Sequence, residues 1–183
     1  MQDLVGLADH SFQPAFNAIA WAVSADGSVV AGSDWSDNIP ESGFRWTADG
    51  GGELISYGNE PSSIAIFDIS PDGTTVVGQA QVGTNEIGAF IWRADTGLVS
   101  LTVLLTSMGV DLTGWTLRQA VGISADGTTI AGNGTNPSGR PEGFLMVIPE
   151  PSVGILMGIG LLGLASRGST KRRHGQNRSG SQP

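Results

Sequence analysis

The stretch SADGTTIAG at residues 124–132 has two close counterparts earlier in the chain, SADGSVVAG at 24–32 and SPDGTTVVG at 70–78. Each copy leads to a segment in which a phenylalanine and a second large apolar residue stand two positions apart. These segments are FRW at 44–46, FIW at 90–92 and FLM at 144–146. The distance along the chain from the first serine of a copy to the last residue of its segment is the same in all three copies. Constant spacing over three copies identifies an internal repeat.

Each copy predicts a β-hairpin. An Asp-Gly pair between two apolar runs favours a type I′ turn, which needs positive φ at both central residues. We interpret the three aspartates as structural rather than catalytic or metal-binding, because aspartate tolerates positive φ and hydrogen-bonds its own backbone in turns. The predicted turn residues are Asp26, Gly27, Asp72, Gly73, Asp126 and Gly127. Before each turn, apolar residues alternate and predict one buried face: Trp21 and Val23, Phe67 and Ile69, Val121 and Ile123.

The repeat predicts an all-β, propeller-like fold. Each unit holds about four short antiparallel strands, and the units lie at about residues 17–58, 62–101 and 115–148. Four strands in about 40–50 residues are typical of a β-propeller blade, and a solenoid of stacked sheets is the alternative. Because propellers usually have at least about four blades, three units predict an incomplete propeller within a body that spans residues 1–148.

The beginning of the sequence predicts a longer gene product. Residues 2–7 (QDLVGL) resemble the end of a preceding unit. Residues 1–20 lack the basic and apolar regions of a signal peptide. We therefore expect Met1 to be internal to a longer protein with further repeats upstream.

An insertion separates the second unit from the third. The interval between these units is eight residues longer than the interval between the first two. Leu101, Leu104, Leu105 and Met108 fall at helical spacing there. This spacing predicts a short amphipathic helix at about residues 101–109, and a long apolar loop is the alternative.

The charge of −8 is distributed unevenly along the 183 residues. Residues 1–151 carry a formal charge of −13, and residues 152–183 carry +5. A body this acidic repels phosphate backbones, so we expect no nucleic-acid binding. The absence of cysteine excludes disulfides, thiolate zinc sites and cysteine nucleophiles.

The C-terminal region has the three ordered parts of a membrane signal. Pro149, Glu150 and Pro151 precede the apolar run VGILMGIGLLGLA at residues 153–165, which predicts a hydrophobic helix. At 1.5 Å per residue this helix is roughly 20 Å long, against a hydrocarbon core of about 30 Å. A basic cluster that would hold the C-terminus in the cytoplasm follows, with the acidic body outside: Arg167, Lys171, Arg172 and Arg173. A buried core helix is the alternative.

Residues 149–174 resemble a PEP-CTERM sorting signal. The resemblance implies that an integral-membrane exosortase recognises Pro149, Glu150 and Pro151, cleaves near them and passes the protein onward. It further implies that the protein stays in the inner membrane only in transit. Its destination would then be the surface or exopolysaccharide matrix of a Gram-negative-type bacterium. Residues 175–183, predicted to be a disordered tail, extend beyond the point at which members of this family usually end.

The body is similar to extracellular repeat proteins of the HAF type, which are named for a His-Ala-Phe triplet. The phenylalanine of the triplet is present as Phe44, Phe90 and Phe144, whereas the histidine is absent from all three copies. This resemblance implies a surface or secreted location and no established chemistry.

No residue pattern predicts catalysis. The two histidines, His10 and His174, have no neighbouring ligands or nucleophile, and no spacing marks a carboxylate pair of the kind that glycosidases use. We therefore predict no catalytic, cofactor-binding or metal-binding residues and a non-enzymatic exported protein. Two alternatives remain open: a propeller-type glycan-acting enzyme delivered by the same signal, and a periplasmic protein stably anchored by its tail.

Overall fold

The computed structural model describes residues 18–34, 42–57, 62–82 and 88–148. Within these ranges the chain forms eleven β-strands and one short α-helix, which confirms the prediction of an all-β body. The predicted hydrophobic helix at 153–165 and the predicted disordered tail at 175–183 lie outside the described residues.

The strands form three antiparallel sheets in which neighbours in sequence are hydrogen-bonded neighbours in space. The first sheet contains β1 (Ala18–Val23), β2 (Val29–Asp34), β3 (Ser42–Thr47) and β4 (Gly51–Ile55). The second contains β5 (Ser62–Ile69), β6 (Thr75–Val82), β7 (Gly88–Arg93) and β8 (Gly97–Ser100). The third contains β9 (Thr116–Ile123), β10 (Thr129–Thr135) and β11 (Pro141–Val147). The sheets are open rather than closed, and among the described residues the third sheet has three strands where the repeat predicts four.

The three sheets bury two separate apolar cores. The first core lies between the first and second sheets, where Ala31 and Ile55 of the first sheet face Ile66, Val76 and Phe90 of the second. The second core lies between the second and third sheets. Its buried members are Val77, Ala89, Ile91, Leu101, Leu105, Leu117, Ala120, Ile130, Met146 and Ile148. Stacking of sheet on sheet therefore stabilises the body. Equivalent faces of the repeat units form both interfaces between neighbouring sheets, which we call joints.

The helix α1 (Leu101–Ser107) lies where the leucine spacing predicts it. Leu101 and Leu105 are buried in the second core, and Leu104 packs partly against it. Val103, on the other side of the helix, is 63% exposed. The helix therefore has the apolar face expected of an amphipathic segment.

Every sheet carries a β-bulge in its first strand. In each first strand at least one residue has no direct partner in the neighbouring strand: Trp21 in β1, Phe67 in β5, and Arg118 and Val121 in β9. A bulge adds a residue to one strand and interrupts the two-residue alternation of its side chains. The predicted alternation before the turn is therefore interrupted: Ile69 is buried, whereas Trp21 is exposed.

Polar side chains connect the first sheet to the second. Ser33 is fully buried, and its Oγ accepts a hydrogen bond from the backbone N–H of Ile66 at 3.0 Å. Nε of Arg45 donates to the carbonyl oxygen of Gly73 at 2.9 Å. These bonds fix the position of one sheet on the other, which apolar packing alone does not specify.

Different residues connect the second sheet to the third. The backbone N–H of Ile123 donates to Oδ2 of Asp68 at 2.9 Å. Nε2 of Gln119 donates to Oε1 of Gln79 at 2.7 Å. The residues equivalent to Asp68 in the other units are Ala22 and Gly122, so this connection is not part of the repeat.

Candidate functional sites in the repeat turns and the sorting signal

The Asp-Gly turns reverse the chain between the first and second strands of each sheet. In the first unit the N–H of Gly27 donates to the carbonyl of Ser24 at 3.0 Å, and the N–H of Ser24 donates to the carbonyl of Val29 at 2.9 Å. The same bonds recur in the other two units. The hairpin loop thus consists of four residues built around one tight turn.

The turn is not the predicted type I′. The three turn glycines have φ of +74°, +70° and +69°, but no non-glycine residue in the described part of the chain has positive φ. Negative φ at Ala25 and Asp26 excludes types I′, II and II′. The geometry is that of a type I turn followed by a glycine, and Pro71 occupies the position at which type I turns favour proline.

The aspartate of each turn gathers hydrogen bonds from its own loop. Oδ1 of Asp26 accepts from Oγ of Ser24 at 2.7 Å and from the N–H and Oγ of Ser28 at 3.0 and 2.8 Å. Oγ of Ser24 in turn accepts from the N–H of Val29 at 3.0 Å. Asp72 and Asp126 have the corresponding partners in their own turns. These donors orient the carboxylate while the backbone of the aspartate keeps a negative φ.

These hydrogen bonds stabilise the charged form of the carboxylates. The Ser24 hydroxyl, together with the N–H and hydroxyl of Ser28, lowers the pKa of Asp26 to about 2. The Ser70 and Ser124 hydroxyls likewise lower the pKa of Asp72 and of Asp126. Groups with depressed pKa values give up protons readily and are poor general acids at neutral pH.

The turn carboxylates predict an acid-dependent loss of stability. A carboxylate with a lowered pKa in the folded state contributes stability above its unfolded pKa, and this contribution disappears as the pH falls toward the folded pKa. We expect the urea midpoint to fall between about pH 4 and pH 2. Replacing Asp26, Asp72 and Asp126 together by asparagine should flatten this decline, whereas Asp49→Asn with Asp95→Asn, in other hairpins, should preserve it. An unchanged decline in the triple variant would contradict the prediction.

The first two turns are in contact, but the carboxylate of each aspartate makes its hydrogen bonds within its own turn. The N–H of Ala25 donates to the carbonyl of Pro71 at 2.8 Å, so the two loops are in direct contact. Residues 18–34, 42–57, 62–82 and 88–148 contain no group of three or more His, Cys, Asp or Glu residues placed to hold a metal ion. The turn geometry thus favours a structural role for these aspartates.

Three glycines whose role the sequence does not reveal support the sheets. Gly32, Gly78 and Gly132 lie directly opposite Phe44, Phe90 and Phe144 in the neighbouring strands. A Cβ on Gly78 would lie 2.1 Å from the carbonyl oxygen of Ala65 and 2.9 Å from the Phe90 ring. Each glycine therefore gives room to a phenylalanine ring and to the bulged first strand. In the sequence, these glycines are marked by their constant position as the last residue of each repeat copy.

The sorting-signal residues lie outside the described residues: Pro149, Glu150, Pro151, Arg167, Lys171, Arg172 and Arg173. In the described part of the chain, no helix is long and apolar enough to cross a membrane. The Pro-Glu-Pro triplet, the apolar run and the basic cluster nevertheless follow one another in sequence between positions 149 and 173. Residues 147–173 match the PEP-CTERM protein-sorting motif.

The PEP-CTERM motif supports export of the protein and processing by an exosortase, and it indicates a membrane-associated sorting signal at the C-terminal end. Comparison with curated protein sequences gives no match. The motif covers the signal and not the repeat body.

The body is similar in structure to TolB proteins. A TolB structure from Acinetobacter baumannii aligns with a TM-score of 0.48 and 14% identity over 73% of this chain. A protein assigned as TolB from Agrobacterium tumefaciens aligns with a TM-score of 0.46 and 14% identity over 75% of this chain. The chain covers only 30% and 51% of these two structures.

Proposed function

We propose that the protein is an exported, non-enzymatic component of the cell surface or extracellular matrix, delivered there through exosortase processing. The observation that carries the proposal is the PEP-CTERM motif directly after a folded repeat body. Exopolysaccharide is the proposed surrounding of the mature body. That the body is an extracellular repeat of the HAF type is part of the same proposal.

The junction between body and signal supports removal of the signal without damage to the fold. Ile148 is 2% exposed, and its N–H donates to the carbonyl of Thr128 at 2.7 Å. The compact unit of the body ends at this residue, and Pro149 follows it. Cleavage near the Pro-Glu-Pro triplet would thus leave both apolar cores complete.

The charge distribution supports the same route. The basic residues after the apolar run favour retention of the C-terminus in the cytoplasm. Removal of the tail would release a body with a strongly negative charge.

The proposal predicts where the protein is found and how its C-terminus ends. In a host that carries an exosortase, we expect the mature protein outside the inner membrane, with a mass that lacks the apolar run at 153–165. In a strain without the exosortase, the protein should remain in the inner membrane at its full mass. A mature protein that keeps the run in the presence of the exosortase would show a stable tail anchor and contradict the proposal.

A screen on polysaccharide substrates tests the non-enzymatic part of the proposal. We expect no turnover. Turnover that a single carboxylate substitution abolishes would replace the proposal by a glycan-acting enzyme with the same sorting signal. Whichever result the screen gives, the location and mass of the mature protein still test the sorting part of the proposal.

A further inference from the structure

Four aspartates in the chain are followed directly by glycine. Three of them are the repeat aspartates Asp26, Asp72 and Asp126, and the fourth is Asp49, in the hairpin between β3 and β4. An Asp-Gly pair can rearrange without an enzyme, because glycine has no Cβ to hinder its nitrogen. That nitrogen loses its proton and bonds to Cγ of the aspartate, while one carboxyl oxygen leaves as water. Water then opens the resulting succinimide ring at the main-chain carbonyl of the aspartate and gives isoaspartate.

The repeat turns restrain both groups that take part in this reaction. In the first unit the N–H of Gly27 donates to the carbonyl of Ser24 at 3.0 Å, which ties the attacking nitrogen to the backbone. The Asp26 carboxylate accepts hydrogen bonds from the Ser24 hydroxyl and from the N–H and hydroxyl of Ser28. Attack on Cγ needs rotation of the side chain and of the peptide, and that rotation would break these bonds.

The other two repeat turns carry the same restraints. The glycine N–H donates to the serine carbonyl at 2.8 Å in both of them. A serine hydroxyl and the N–H two residues after the aspartate donate to each carboxylate. The lowered pKa of all three carboxyls acts in the same direction. It makes the protonated form, from which an oxygen leaves as water, scarcer at neutral pH.

The hairpin between β3 and β4 lacks these restraints. Asp49 and Gly50 are both exposed, and within the described part of the chain no donor is hydrogen-bonded to the Asp49 carboxylate. The N–H of Gly50 donates to Oγ1 of Thr47 at 3.0 Å, and this hydroxyl can turn away without moving the backbone. At the equivalent position of the second unit Thr96 replaces the glycine, so its side chain hinders the same attack there.

We propose that Asp49-Gly50 is the site of spontaneous isoaspartate formation among the four Asp-Gly pairs, and that the repeat turns protect the other three. The nitrogen of Gly50 bonds to Cγ of Asp49 with loss of one water, and the water that opens the ring restores the mass. The product therefore has the mass of the parent, with one extra methylene group in the backbone of the hairpin. β4 follows this hairpin, and its Ile55 is fully buried in the first core.

Ageing of the purified full-length chain in a mild detergent tests the proposal. The protein is kept warm at neutral pH and digested at intervals, and mass spectrometry with electron-based fragmentation measures isoaspartate at all four pairs in the same sample. We expect the amount at position 49 to exceed that at each repeat aspartate by roughly tenfold or more, the effect of one unit of pKa on the protonated fraction. Equal amounts at the four pairs, or more at a repeat turn, would overturn the proposal.

Two variants separate the chemistry from a general loss of structure. Asp49→Glu keeps the charge but would need a six-membered ring, so it should abolish the product at this position. Ser124→Ala removes the hydroxyl that donates to Asp126, and it should raise isoaspartate at position 126 while positions 26 and 72 keep the parent's level. A rise at all three repeat turns would indicate unfolding and not a lost restraint. Protection by the turn would be contradicted if position 126 did not change in a variant with the parent's circular dichroism spectrum.

Discussion

Gly78→Ala should destabilise the body by about 1–3 kcal/mol, the range seen when extra carbon is forced into a packed site. The added Cβ would lie 2.1 Å from the carbonyl oxygen of Ala65 and 2.9 Å from the ring of Phe90. The oxygen belongs to the backbone of β5, so a rotamer change cannot relieve the contact. Either the strand pair must separate or the Phe90 ring must leave the first core.

The matched control for this substitution lies in the same sheet. A Cβ on Gly88 would have its nearest neighbour, the carbonyl oxygen of Leu117, at 3.9 Å, which is ordinary contact. Because alanine loses less backbone entropy on folding than glycine, Gly88→Ala should be neutral or stabilising by up to about 1 kcal/mol. Urea denaturation followed by tryptophan fluorescence measures both variants. Equal midpoints for the two would contradict the close approach of Gly78 to Ala65.

Replacement of the Pro-Glu-Pro triplet should stop maturation. In a host with an exosortase, Pro149→Ala, Glu150→Gln and Pro151→Ala together should leave the full-length precursor in the inner membrane. The triplet lies outside the two cores and the body ends at Ile148, so the body should fold normally in this variant. The loss would then be one of recognition and not of stability.

The chain contains a control with the same residue types. Pro141→Ala with Glu142→Gln changes an earlier proline–glutamate pair, in β11, where Oε2 of Glu142 accepts a hydrogen bond from Asn136 at 2.7 Å. This variant should mature as the parent does. Immunoblots of fractionated cells, with the mass of the mature product, distinguish the two variants. Normal maturation of the triplet variant would remove the sorting role from residues 149–151.

The sequence predicts the kind of the strands and their division into three sheets because the signals are local, although the third sheet has three described strands and not the predicted four. The Asp-Gly pair, the Phe-x-Trp segment and the constant spacing between them each act within one unit, and the sheets follow that spacing. The helix follows from the leucines around residue 101 in the same way. The sorting motif is likewise a property of consecutive residues, and it needs no packing to be recognised.

The turn type and the bulges escape prediction because they depend on contacts that a linear pattern does not contain. Asp-Gly alone favours positive φ at the aspartate, but the hydroxyls of Ser24 and Ser28 hold the Asp26 carboxylate with negative φ instead. The bulge at Trp21 adds a residue to β1 and interrupts the two-residue alternation of its side chains. Asp68 joins two sheets through Ile123, a partner far along the chain, and no repeat position marks it.

The use of one pair of faces at both joints has a consequence for how this body could change over generations. Both interfaces between neighbouring sheets pair the same two kinds of sheet face. Duplication of one whole unit would therefore create another interface of the same kind. Loss of a unit would bring together two sheet faces that can pack on each other in the same way. Proteins of this design can therefore lengthen or shorten by whole sheets, while the hairpins and the sorting signal stay as they are.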